Sequence, residues 1–208
     1  MFSDREVPIR VDVPVRREIV LGREVTVATV PDAGDAAPAP RGNPFGFKNT
    51  ASLAAGALYL RSHSSESDLV ARSLNLGFCN TAKDTALSGG VSQEDLLRLL
   101  ADANVASQAE CGYSLEDLAQ NIESGLKVIA FVNAGELWGY VDEPSVIEAN
   151  YAVLMEGVAR DAQSGEISGF FLRDPAAPEK AALVDASTIA RIWLNAGGWQ
   201  IVPSQLSP

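Results

Sequence analysis

Leu126–Tyr140 reads LKVIAFVNAGELWGY, and this stretch decides the fold. Val128 to Val132 is an unbroken apolar run rich in β-branched residues, the pattern of a strand buried on both faces. Asn133-Ala134-Gly135 breaks the run as a turn signal. Glu136 and Trp138 follow, placing a carboxylate and a large aromatic at the mouth of a core strand. The rest of the chain is placed relative to this strand.

At 208 residues, the chain is long enough for one sizeable core with a small appendage. Its hydrophobic content of 47% and charged content of 21% belong to the globular class. A net charge of −11 argues against nucleic acid and anionic membrane surfaces as partners, and permits a cationic one. No apolar run is long enough for a membrane span, and MFSDREVPIR at the start has no apolar core of a secretion signal. The expected location is cytoplasmic. Cys79 and Cys111 do not make a disulfide framework. No metal-ligand spacing appears, and neither a metal nor a cofactor is expected.

Glu6–Val30 alternates with period two: Val7, Ile9, Val11, Val13 and Val15 share one parity, and Val25, Val27 and Val30 continue the apolar series. This predicts a β-hairpin over 1–30 turning near Gly22-Arg23. Such a hairpin needs a surface to cover. It packs on the main domain, joins a second subunit as a homodimer, or offers an edge to an extended peptide; packing in cis is the simplest of the three. Residues 31–40, PDAGDAAPAP, form a Pro/Ala linker. The main domain, 41–208, starts near Arg41.

Asn49–Leu60 predicts a helix built on small residues, with Asn49 or Thr50 as N-cap. Three further helix starts share one signature: Ser65-x-x-Asp68, Ser92-x-x-Asp95 and Ser114-x-x-Asp117, each ahead of an apolar-periodic run. Thr81–Gly90 is a polar loop, and Gly89-Gly90 resembles a helix entry. Strands are predicted at Val128–Val132, Tyr151–Val158, Gly169–Arg173 and Trp199–Val202. A turn lies at Arg160–Gly165, and a short helix, Ser187–Asn195, ends at Gly197-Gly198. Helices first and an antiparallel sheet later make an α+β fold.

In this order the motifs resemble the papain-fold, C39-like bacterial cysteine peptidases. The resemblance runs from about Arg41 to Pro203. It rests on Asn133-Ala134-Gly135-Glu136-Leu137-Trp138 after a core strand, and on Asn150-Tyr151-Ala152-Val153 where the family has Asn-His-Ala-Val. It rests also on Gly157-Val158-Ala159-Arg160-Asp161 with Gly165-Glu166-Ile167, on Asp174 at the end of a strand, and on Trp193-Leu194-Asn195-Ala196-Gly197-Gly198-Trp199. Family chemistry uses a cysteine at a helix N-terminus, a histidine base, an Asn or Asp to orient it, and a Gln at the oxyanion. Here the Gln-Gly-Asn segment looks like Arg41-Gly42-Asn43. The nucleophile position falls at or next to Asn49, the histidine position is Tyr151, and Asp174 alone matches.

The resemblance therefore implies a papain-like fold with an N-terminal hairpin extension and a degenerate, non-hydrolytic site. It implies a cleft that holds an extended peptide, with Asn133, Glu136, Trp138, Tyr151 and Asp174 as its lining. The family setting suggests an accessory role in maturing a ribosomally made, modified peptide, as a precursor- or leader-binding protein beside a partner enzyme. Alternatives stay open: an enzyme with repurposed cleft chemistry through Tyr151 and Asp174, a peptidase using Cys79, or a structural subunit assembled by its hairpin. His63 is the only histidine and precedes both cysteines, the reverse of a papain-like dyad. Cys79 follows a helix in Gly77-Phe78-Cys79, and a helix C-terminus disfavours a thiolate. Arg41, Lys48 and Arg173 could flank the cleft as an anion subsite.

Overall fold

Val128–Val132 forms a strand whose five residues are all buried, because both of its faces are covered by helices. In the computed structural model, which describes residues 12–20, 22–31, 45–60, 64–139 and 148–204, this strand lies inside an eight-stranded sheet. The strands, in chain order, are β1 (Val15–Val20), β2 (Arg23–Thr29), β3 (Ser107–Cys111), β4 (Val128–Val132), β5 (Tyr151–Asp161), β6 (Ile167–Arg173), β7 (Ala182–Asp185) and β8 (Trp199–Pro203). Every pairing is antiparallel. The path runs β1-β2-β5-β4-β8-β3, with β6 on the other side of β5 and β7 beyond it.

The α-helices are α1 (Ala51–Tyr59), α2 (Glu66–Leu76), α3 (Gln93–Asp102), α4 (Leu115–Glu123), α5 (Ala134–Trp138) and α6 (Ala186–Ile189), the last continued by a π-helical turn over Ala190–Leu194. Alternate residues of the central strands point to opposite helical layers. Ile129, Phe131, Ala152 and Leu154 meet α1, α2 and α3. Val128, Ala130, Val132, Val153 and Met155 meet α4 and α6. The architecture is thus mixed helix and antiparallel sheet, as the sequence indicated. No described helix is long and apolar enough to cross a membrane.

The serine-aspartate starts act as caps. Ser65 with Asp68 and Ser114 with Asp117 form complete capping boxes, and the Ser92 hydroxyl accepts from the Asp95 N–H. The hairpin turns at Gly22, which has φ +78° and so occupies the left-handed region. It packs in cis: β2 pairs with β5 from Val25↔Asp161 to Thr29↔Gly157, in line with β4 on the same edge of β5. Val7, Ile9 and Val11 lie outside the described residues, as do Arg41, His63 and most of the 31–40 linker.

Four points of the sequence reading need correction. Asn133-Ala134-Gly135 is not a plain turn: the Asn133 side chain accepts from the Glu136 N–H and caps α5. The first half of the chain is not wholly helical, since β3 inserts between α3 and α4; its sequence, Ser-Gln-Ala-Glu-Cys, has no large apolar residue. β7 was also missed, as four residues carry too little pattern. Arg173 faces inward, with Nε and Nη2 bonded to the Glu156 carboxylate at 2.8 and 2.7 Å and Nη1 to the Pro178 carbonyl at 2.7 Å. Both side chains of the pair are buried, so Arg173 belongs to no exposed anion subsite.

Candidate functional site

The start of α1, the start of β5 and the loop before α3 meet at a cavity of about 290 Å³. It is lined by Asn49, Ser52, Gln93, Asn150, Tyr151 and Phe131, with Ala51, Gly90, Val91 and Ala149 completing the wall. Among the described residues the polar lining is carboxamide and hydroxyl, with no formal charge. The volume suits one or two residues of a peptide and is small for a larger ligand.

Local chemistry explains why α1 opens onto this space. Thr50 is the residue before the helix, yet its side chain makes no cap hydrogen bond. Its hydroxyl donates instead to Glu66 Oε1 at 2.5 Å, with both residues buried. No acidic residue lies in the first turn of α1. The positive end of the helix therefore has neither a side-chain cap nor a first-turn carboxylate, and Ala51 and Ser52 of that turn line the cavity. The loop Gly89-Gly90 makes the approach possible. A Cβ on Gly89, whose φ is +100°, would sit 2.5 Å from Thr50 Cγ2, and one on Gly90 would meet the Asn49 amide at 3.1 Å. The Asn49 N–H donates to the Ser88 carbonyl at 3.2 Å, which fixes the loop against the helix start.

Across the cavity, the Tyr151 hydroxyl donates to Asp174 Oδ1 at 2.8 Å. The same oxygen accepts from the Ala176 N–H at 2.8 Å. Desolvation is the main force raising the Tyr151 phenol above its ordinary range; the hydrogen bond and charge of Asp174 add to it, and the charge of Glu66 contributes further. Tyr151 is thus neutral at physiological pH. With its proton committed to Asp174, the phenol has no proton-accepting role for a neighbouring thiol. Trp138, 44% exposed, meets the Tyr151 ring edge-on with centroids 4.8 Å apart.

Asn133 and Asn150 brace this rim. Asn133 Nδ2 donates to the Glu148 carbonyl at 2.9 Å, and Asn150 Oδ1 accepts from the Ala134 N–H at 2.8 Å. Glu136 turns aside and pairs with Arg191 at 2.9 Å. The structure therefore brings together Tyr151, Trp138 and Asp174, sets Asn49 on the same cavity, and places Asn133 behind the rim. Glu136 engages Arg191, and Arg41 lies outside the described residues. Sequence reasoning did not single out Asn150, Gln93 or Glu66. Asn150 stood next to Tyr151 in the family-like motif, but Gln93 and Glu66 carried no signal beyond their helix-start positions.

Both cysteines are free. Cys79 is buried, just past the left-handed Gly77 that ends α2, and its thiol meets the Asn80 carbonyl at 3.6 Å. Cys111 donates to the Gly197 carbonyl at 2.8 Å. Neither lines the cavity. Among the described residues, no cluster of His, Cys, Asp and Glu could hold a metal ion.

No family model and no curated protein matches the chain. A crystal structure from Bacillus anthracis, of a proposed C39-like peptidase, is similar to it at a TM-score of 0.42 and 19% identity. The match covers 57% of this chain and 62% of that one, so it spans less than two thirds of the neighbour.

Proposed function

We propose that this chain is a papain-like-fold relative of the C39-like cysteine peptidases that binds an extended peptide and does not cut it. The observation that carries the reading is the lining of the cavity at the start of α1. Where a cysteine and a histidine would be needed, the wall offers Asn49 and Tyr151, and the phenol is bonded to Asp174. Hydrolysis by this family's route needs a thiolate and a base in contact, and among the described residues the lining supplies neither. Side-chain amides and a helix N-terminus suit the carbonyls and N–H groups of a peptide backbone.

The setting proposed is cytoplasmic maturation of a ribosomally made peptide, with the protein holding a precursor or leader for a partner enzyme. Calorimetry against the short peptide encoded beside its gene tests this. Binding at micromolar affinity or tighter is the scale a specific module needs, and it should weaken at least tenfold in Tyr151→Ala and Asn150→Ala. Thiol-dependent peptidase activity should be absent, and Cys79→Ala should bind as the parent does. Stoichiometric labelling of Cys79 by a peptidase-directed thiol reagent, with loss of function, would sink the reading.

A further inference from the structure

The outer edge of β1 is a self-complementary strand, and we propose that two copies of this chain pair through it, antiparallel and centred on Arg17. Among the described residues β1 has one strand neighbour, β2. The direction of its free backbone groups follows from the next pairing inward. The Val30 N–H donates to the Glu156 carbonyl at 2.7 Å, and the Glu24 carbonyl accepts from the Ala162 N–H at 3.1 Å. Even-numbered residues of β2 therefore point their backbone groups at β5, and odd-numbered ones point at β1. The register Val20↔Arg23, Glu18↔Val25 and Arg16↔Val27 makes the even residues of β1 the ones bonded to β2. The N–H and C=O groups of Val15, Arg17 and Ile19 point outward.

A second β1 strand must then pair odd with odd. Centring on Arg17 places Val15 opposite Ile19 of the second copy, and Ile19 opposite its Val15. These are two of the exposed large apolar side chains, 65% and 80% accessible. On the other face, where each Arg16 already meets its own Glu18, the same register sets Arg16 opposite Glu18 of the second copy, twice over. Shifting the centre to Arg16 opposes Arg16 with itself and leaves Ile19 without an apolar partner. Shifting it to Glu18 opposes Glu18 with itself and sets Arg17 opposite Ile19. Only the Arg17 register matches both apolar positions and both charges, and cross-strand pairs of these kinds are what stabilise a sheet. The central Arg17 pair is a like-charge contact, offset because each Arg17 already reaches Glu24 at 3.4 Å on its own β2. Val13 turns in against the core beside α4, and Pro14 ends the ladder, so the edge is limited to these five positions.

A ladder this short lies in the size class of weak, reversible contacts. The test is sedimentation equilibrium of the full chain up to about 300 µM, the range such contacts require. The parent should show a monomer–dimer equilibrium. Arg16→Glu and Glu18→Arg should each weaken it at least tenfold, because each places like charges opposite one another. An equimolar mixture of the two variants should recover the dimer as a heterodimer, since a strand carrying two glutamates then faces a strand carrying two arginines at these positions. Unchanged melting of each variant confirms that the hairpin is intact. A parent that stays monomeric at about 300 µM overturns the proposal. So does a dimer that both variants leave unchanged, or a mixture that fails to associate while both variants fold.

Discussion

Tyr151 concentrates the chemistry of the site at the residue scale. Its hydroxyl is a structural donor to Asp174, and the residue lines the cavity. Replacing it with Phe removes one hydrogen bond to a carboxylate that keeps the Ala176 N–H. Tyr151→Phe should therefore cost about 1–2 kcal/mol in urea denaturation. The same residue sets an alkaline limit. Burial and Asp174 favour the neutral phenol in the folded state, so the folded pKa lies above the unfolded one. The stability this contributes is complete below about pH 10 and is lost as pH rises through the folded value. Tyr59, whose phenol is raised mainly by burial, behaves in the same direction. Melting followed from about pH 8 to 11 should fall more steeply in the parent than in Tyr151→Phe. A matching slope in the two proteins would remove Tyr151 from the account. The sequence placed Tyr151 and Asp174 at one site only through their positions in a family-like order. They stand 23 positions apart in the chain, and local pattern has no term for such a pairing.

At the scale of elements, the long strand β5 is held by a buried ion pair at its irregularity. The register with β6 shifts between Met155 and Gly157, and Glu156 at that point takes both bonds of Arg173. Arg173→Met leaves a buried carboxylate without its partner, expected to cost about 3–5 kcal/mol, whereas Glu156→Gln with Arg173→Met should recover much of that loss. Thermal melts of the two variants decide whether the pair or the bulk of the side chains matters. At the other end of β7, Asp185 caps α6 through the Thr188 N–H. Bonds from Ser187 and then Thr188 hold its carboxyl down at about 2. Asp185→Ala should cost about 1 kcal/mol at neutral pH. That difference should fade as pH falls from about 4 through 2, because a depressed pKa contributes stability only above it. The elements legible in the sequence were those with a repeating physical cause: serine caps at three helices, a β-branched run at β4 and an apolar run at the start of β5. β3 was illegible because its stability is polar. Glu110 accepts from Gln200 at 2.9 Å and from Asn121 at 3.1 Å, contacts that join residues far apart in sequence. α5 was read as a turn because Asn133 serves equally in a turn and as a helix cap.

On the scale of the whole molecule, the hairpin decides what the folding unit is. Read along the chain, residues 1–30 look like an appendage joined by a Pro/Ala linker. In the fold, β2 completes the edge of β5 beyond the point where β4 stops. Val25, Val27, Ala28 and Val30 are all buried. Ala28 and Val30 share a cluster with Val158 and Phe170 and with α4, while Val25 and Val27 pack with Ala159. Burial of three valines at about 1.5–3 kcal/mol each is comparable with the roughly 5–15 kcal/mol that stabilises a whole domain. Removing residues 1–30 would also leave the backbone of Gly157–Asp161 as an open edge beside exposed apolar side chains, a template for aggregation. The shortened chain 31–208 should therefore melt at least about 10 °C lower, or precipitate on expression, as a loss of several kcal/mol in a chain of this size requires. A synthetic Asp12–Val30 hairpin added in trans should restore part of that loss. If instead 31–208 is monomeric and melts within about 2 °C of the full chain, the hairpin is dispensable to the fold. Its contribution would then have to be sought at the β1 edge, where the self-complementary pairing resides.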